Sequence, residues 1–133
     1  NCSPVNMKAY ITCPVSFTQN RLEVLPYIKE VVEEAGIEPF VFEIGGDSKD
    51  IFNRDYSNLA SSDIIIAEVS ERSHGVGIEL GLSYGLGLKR ILLLAEGASV
   101  SKLAEGMPNT TILTYKDSEH LKGLLREELL TLS

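Results

Sequence analysis

One carboxylate, Glu79, stands in the stretch ERSHGVGIELGLSYG (residues 71–85), which is otherwise rich in glycine and apolar residues. A charge in such a setting must be paired, neutralised or used. Projected on a helix, Glu79 falls about 160° from the middle of the stripe formed by Gly77, Gly81 and Gly85. Its neighbours on that face are Leu82, Ser83 and Leu86, a partly apolar setting that would suit a subunit contact. A carboxylate near the first turn of a helix is favoured by the helix dipole, so Glu79 is expected to stay ionised while poorly hydrated. Such a group is a good nucleophile or base. Gly75 and Gly77 flank the turn into the helix, where free backbone N–H groups favour anions. The GVG segment is not a full dinucleotide fingerprint, and it follows the third strand rather than the first. For Gly77, Gly81 and Gly85 together, packing of a smooth helix face against a sheet or a second helix is the simpler reading.

Most chemistry of this kind needs a second acid. Asp55 is placed eight residues before the third strand, and by pattern alone it is not distinguishable from a solvated helix acid. Glu68 ends the third strand in an apolar run, as either a partner behind the site or a satisfied structural acid, the latter being the simpler reading. His74, beside the glycines, could touch a phosphate but reads more simply as exposed; His120 reads as surface. There is no Ser/His/Asp order, metal-ligand cluster or Walker loop, so no metal and no cofactor are expected.

The elements that must hold these residues alternate along the chain. Apolar, β-branched strands are predicted at 8–13, 37–44, 63–69, 89–95 and 110–115. Helices are predicted from Asn20 to Gly36, at 50–62, 76–88 and 117–132, with a short one at 99–106. Pro26 should bend the first helix or move its true start. Ser16 to Gln19 resembles a capping box for it, and Asp117 or Ser118 should cap the last. Continuously apolar strands separated by helices mean a parallel sheet covered on both faces. The expected fold class is α/β, a flavodoxin-like (Rossmann-like) doubly wound sheet of five parallel strands in the order 2-1-3-4-5. Ligands then bind beyond the carboxyl ends of strands 1 and 3, at loops 13–19 and 70–77.

The 133 residues fit one domain, read as 7–133 after a leader of residues 1–6. The net charge of −7, spread over amphipathic segments, argues against a nucleic-acid polymer or an anionic membrane as partner. A small phosphorylated ligand needs only a local site and stays open. Cys2 and Cys13 make no disulfide framework, and Cys13 reads as a buried free thiol. No apolar run has the length of a membrane span, no signal peptide is visible, and a cytoplasmic protein is expected.

Residues 51–94, IFNRDYSNLASSDIIIAEVSERSHGVGIELGLSYGLGLKRILLL, resemble the nucleoside 2-deoxyribosyltransferase superfamily, most nearly its branch that hydrolyses 2'-deoxynucleoside 5'-monophosphates. Asp55, the strand segment SDIIIAE and Gly75-Val76-Gly77-Ile78-Glu79-Leu80-Gly81 carry the resemblance. It implies that Glu79 attacks C1' of the deoxyribose and forms a glycosyl-enzyme. It implies that Asp55 holds the sugar or assists proton transfer around the base, and that Tyr10 lies near the site. Ser73 matches a serine that contacts the 5'-phosphate. Ser101 matches a second such serine, contributed by the neighbouring subunit of a homodimer with shared active sites. The monophosphate branch carries a G-S-x-R-G-G loop after the first strand, whereas this chain has CPVSFTQN. PVSF looks nearer to the transferase branch, where aromatics such as Phe17 would cover the base; Ser16 and the start of the first helix could replace some phosphate contacts.

A carboxylate beneath C1' stabilises an oxocarbenium-like state and can trap it. The partners expected are therefore a (deoxy)nucleotide or nucleoside and a second copy of the chain. A close Asp55–Glu79 pair is expected by analogy with retaining glycosidases, whose carboxyls lie about 5–5.5 Å apart. Water as acceptor gives hydrolysis; a second base gives transfer. A nucleotide-binding sensor domain without catalysis would keep the fold but has no need of Glu79. Flavin binding fits poorly, because loop 13–19 lacks a phosphate cradle.

Overall fold

The computed structural model describes residues 7–15 and 20–132, the side chains of Asn20 and Arg21 excepted. Five strands, β1 (Lys8–Thr12), β2 (Glu38–Val41), β3 (Ile64–Glu68), β4 (Lys89–Ala95) and β5 (Thr110–Tyr115), form one sheet in the order β2-β1-β3-β4-β5. Every neighbouring pair is parallel. The expected doubly wound topology is thus present, with its reversal between β1 and β3.

Side chains alternate across a strand, so each strand feeds two cores. Ala9, Ile11, Ile64, Ile66, Ile91 and Leu93 face one way. They pack under α1 (Leu25–Glu34) and α5 (Ser118–Leu130) through Ile28, Val31, Val32, Leu121, Leu125 and Leu129. Tyr10, Ile65, Ala67, Leu92 and Leu94 face the other way, under α2 (Ser48–Ala60) and α3 (His74–Gly85), meeting Leu59, Val76 and Leu80. All of β3 is buried, which explains its unbroken apolar sequence. Truncating Ile65 to Ala would cost about 2–5 kcal/mol.

The element boundaries moved where local chemistry overrides periodicity. Residues Asn20–Val24 form a 3-10 turn, and the α-helix starts at Leu25 with Pro26 in its first turn. There the missing proline N–H costs nothing. The helix stops at Gly36, whose φ of +77° is open to glycine at little cost. α2 begins at Ser48, two residues earlier than expected, because Asp47 caps it by accepting from the Asp50 N–H at 2.9 Å. α3 begins at His74 and ends at Gly85, against an expected 76–88; Ser73 is its cap, its Oγ accepting from the Val76 N–H at 3.3 Å. Asp117 caps α5 through the His120 N–H. Among the described residues no helix is long and apolar enough to cross a membrane.

The glycine stripe of α3 does not pack on the sheet. A Cβ added at Gly77, Gly81 or Gly85 would meet nothing within 4 Å. All three are exposed, as are Ile78 and Tyr84 beside them. Of the two expected packings, against a sheet or a second helix, the face makes neither among the described residues; it is turned outward.

Candidate active site

Glu79 lies on the inward side of α3, over the C-terminal half of β1. The Tyr10 hydroxyl donates to its Oε2 at 2.5 Å, and the Thr12 hydroxyl donates to Oε1 at 2.9 Å. Tyr10 and Thr12 are two apart on β1 and therefore point to the same face. To the partly apolar setting expected from the helical projection, in which Leu82 and Leu86 pack on the core and Ser83 is buried, the structure adds two hydroxyls that meet the carboxylate. It also corrects the reason for its charge. With α3 starting at His74, Glu79 is in the second turn, beyond the reach of the helix N-terminus. Hydroxyl donors take over that work. Burial raises the Glu79 carboxyl above the ordinary glutamate range, the Tyr10 and Thr12 hydrogen bonds pull it down, and the Asp55 charge adds a smaller upward push.

Tyr10 is buried against Phe40 and the underside of the site. Burial and then the charge of Glu79 push its hydroxyl well above the ordinary tyrosine value, so it stays a proton donor. Thr12 was not among the residues singled out in the sequence. Its signal was there: two residues beyond Tyr10, at the end of a strand that points at the expected crevice.

Asp55 is on α2. Together with Glu79, Thr12 and Cys13 it lines a cavity of about 890 Å³, walled by Phe42 and Ile44 and closed on one side by Ser73, His74 and Gly75. Burial raises the Asp55 carboxyl, while the neighbouring Arg54 guanidinium lowers it. The Arg54 Nε lies 3.6 Å from Asp55 Oδ1, and both atoms are buried without a hydrogen-bond partner among the described residues. Buried unsatisfied groups are uncommon and gather at functional sites. Cys13 is a buried free thiol, pushed up to about 12 by burial and the surrounding glutamates, so it stays protonated and inert.

The other candidate residues divide. Ser73 and His74 stand between this cavity and a second one of about 580 Å³ that runs between α3 and α4 (Lys102–Glu105). Gly75 faces the first cavity. Gly77 lines only the second, and its N–H is not free: it donates to the Ser73 carbonyl at 3.1 Å. The expectation of a free Gly77 donor is therefore corrected, since the earlier start of α3 puts that group inside the helix. Ser101 also lines only the second cavity, where it caps α4 by accepting from the Leu103 N–H. Within one chain it is not brought to Glu79. Ser16 and Phe17 lie outside the described residues, as do residues 1–6 and the capping box at Ser16 to Gln19.

Glu68 is fully buried and satisfied. It accepts from the Ser70 N–H at 2.9 Å, the Ser70 hydroxyl at 2.6 Å and the Tyr115 hydroxyl at 2.5 Å. Ser70 Oγ in turn accepts from the Ala95 N–H. The structural reading of Glu68 holds. Among the described residues no three of His, Cys, Asp and Glu converge as metal ligands would.

The family model for nucleoside 2-deoxyribosyltransferases matches residues 9–110, which contain β1 from its second residue on, Asp55 and the whole of α3. The chain belongs to that family. A 5-hydroxymethyl-dUMP N-hydrolase of Esox lucius is 34% identical over 119 residues, which span 82% of this chain and 81% of that protein. A Methanosarcina mazei protein, provisionally named 2'-deoxynucleoside 5'-phosphate N-hydrolase 1, is 31% identical over 116 residues, 78% of this chain and 72% of that one. Among solved structures, a Clostridium botulinum CMP N-glycosidase superposes with a TM-score of 0.74 at 22% identity, covering 91% of this chain and 98% of its own. The last likeness bears on the fold.

Proposed function

We propose that this protein cleaves the N-glycosidic bond of 2'-deoxynucleoside 5'-monophosphates, releasing the base and deoxyribose 5-phosphate. The observation that carries the reading is Glu79: a carboxylate at the wall of the family's crevice, aimed by two hydroxyls on one strand. Its carboxylate attacks C1' as the C1'–N bond breaks; the electron pair of that bond leaves with the base. Asp55, whose carboxyl burial raises, gives the departing base its proton. It then takes a proton from water, whose oxygen attacks C1' and frees Glu79. Tyr10 and Thr12 donate to Glu79 and keep one oxygen lone pair of its carboxylate turned to the sugar. The relatives named for deoxynucleoside monophosphate hydrolysis support the substrate class. Ser73 and the Gly75 N–H at the start of α3 suit the 5'-phosphate.

A product assay with a 2'-deoxynucleoside 5'-monophosphate and the matching nucleoside tests this. Free base from the monophosphate is expected, and none from Glu79→Ala with its fold intact. Base release from the nucleoside alone would overturn the monophosphate reading. The sequence of loop 13–19 favours a second reading, transfer of deoxyribose to another base; adding a second free base to the same assay and looking for its deoxyriboside separates the two.

The working form is proposed to be a homodimer with shared sites. Supporting it are the outward glycine face of α3 and the position of Ser101 in a cavity apart from Glu79.

A further inference from the structure

Arg54 has no part in the chemistry described so far, yet its guanidinium is turned to groups close to that chemistry. Nη2 donates to the Glu43 carbonyl at 2.7 Å, and Nη1 donates to the Gly45 carbonyl at 2.8 Å. Nε lies 3.3 Å from the Glu43 carboxylate and 3.6 Å from Asp55. The side chains of Arg54 and Asp55 keep only 27% and 16% of their exposure, so water screens the pair weakly. The loop that Arg54 grips continues from Phe42, Glu43 and Ile44, which form one wall of the cavity holding Asp55 and Glu79. It ends at Gly46, where φ is +110° and an added Cβ would come within 3.3 Å of Asp50 Cβ. The same added Cβ would lie 4.0 Å from Arg54 Nη1, so the loop passes beside the guanidinium.

We propose that Arg54 is a positioning residue for the site: its fork fixes the 43–45 wall, and its Nε edge holds Asp55 in place and sets how readily that carboxyl gives and takes its proton. The groups facing Asp55 make the need plain. From the β2–α2 loop comes Glu43, from α3 Glu79, from β1 Tyr10, and from its own helix Arg54. Two of these are carboxylates and one is a hydroxyl that stays protonated; Arg54 is the cation of the group, and together with a hydrogen bond from the Glu43 backbone it opposes the burial of Asp55. A hydrogen-bonded ion pair would lock Asp55. A contact of 3.6 Å supplies charge while leaving Oδ1 free to exchange a proton.

The inference rests on the proposed role of Asp55, and its test keeps the two apart. Arg54→Gln, Arg54→Lys and Arg54→Met are prepared in the full chain, the last keeping the aliphatic stem where Gln loosens the fold. The Asp55 carboxyl is titrated by carbon-13 NMR, assigned by its loss in Asp55→Asn. It should move to higher pH in the Gln and Met variants and stay nearer the parent value in the Lys variant. The limb of the kcat/KM profile governed by Asp55 should move with it, and kcat/KM at the parent optimum should fall by roughly tenfold or more. An unmoved Asp55 titration in folded Arg54→Gln or Arg54→Met overturns the inference, and so does a moved titration with an unchanged rate profile. Full base release by Asp55→Asn would instead overturn the reading of Asp55, because the titration is read without turnover.

Discussion

At the scale of the residue, Glu79 works against the fold that holds it. Its carboxyl is raised by burial, so the folded chain binds its proton more tightly than the unfolded chain does. Between the unfolded and folded pKa values the native state carries more protons, and stability falls as pH rises. Replacement by Gln removes that cost. Glu79→Gln is expected to melt at a higher temperature than the parent at neutral pH, with the gain shrinking to nothing below the ordinary carboxylate range, and to release no base. Thermal melts across pH 3–8 check the sign; a gain that grew as the pH fell would refute it. Tyr10→Phe removes the hydroxyl that pulls the Glu79 carboxyl down. The acid limb of its kcat/KM profile should therefore move to higher pH, a shift that loss of packing alone does not produce. Legibility differs among these residues for a physical reason. Glu79 stood out because a charge among glycines is improbable by composition. Thr12 and Arg54 did not, because hydroxyls and guanidinium groups are ordinary at strand ends and on helices, and only the fold shows what they touch.

At the scale of the element, strands were more legible than helix starts. β3 reads as buried because nothing in Ile64–Ala67 interrupts its apolar run. The start of α3 was displaced by two residues because Ser73 can cap a helix or meet a ligand, and periodicity does not distinguish them. That displacement changed the account of Glu79 and Gly77, since position in the first turn decides which N–H groups are free. The loop Ser70–Ser73 leads from β3 to that cap, and it is anchored at one end by Glu68, Ser70 and Tyr115. Tyr115→Phe removes one of the donors to the buried carboxylate and should cost about 1–3 kcal/mol in chemical unfolding. Its effect on base release should be a raised KM with kcat little changed, because the loop bears on the substrate side of both cavities. A fall in kcat alone would place Tyr115 elsewhere in the reaction.

At the scale of the whole molecule, the sheet order and the crevice at β1 and β3 followed from alternating apolar runs. The direction in which α3 turns its glycines did not, because a smooth face suits the chain's own sheet and a partner equally. Its outward stripe, flanked by Ile78 at 58% and Tyr84 at 56% exposure, places a close-packing surface where only another molecule can use it. Under the proposed homodimer the parent is expected to sediment as a dimer and Gly81→Arg as a monomer in sedimentation velocity. The shared-site proposal makes a stricter demand. Under it each site takes Glu79 from one subunit and Ser101 from the other. Glu79→Ala and Ser101→Trp are each expected to be nearly inactive alone. Mixed and allowed to exchange, half of the dimers become hybrids, and each hybrid holds one site with both residues intact. Activity should return to about a quarter of the parent value, as two-fold symmetry requires. If Ser101 serves its own chain, every site in the hybrid carries a lesion, and mixing restores nothing.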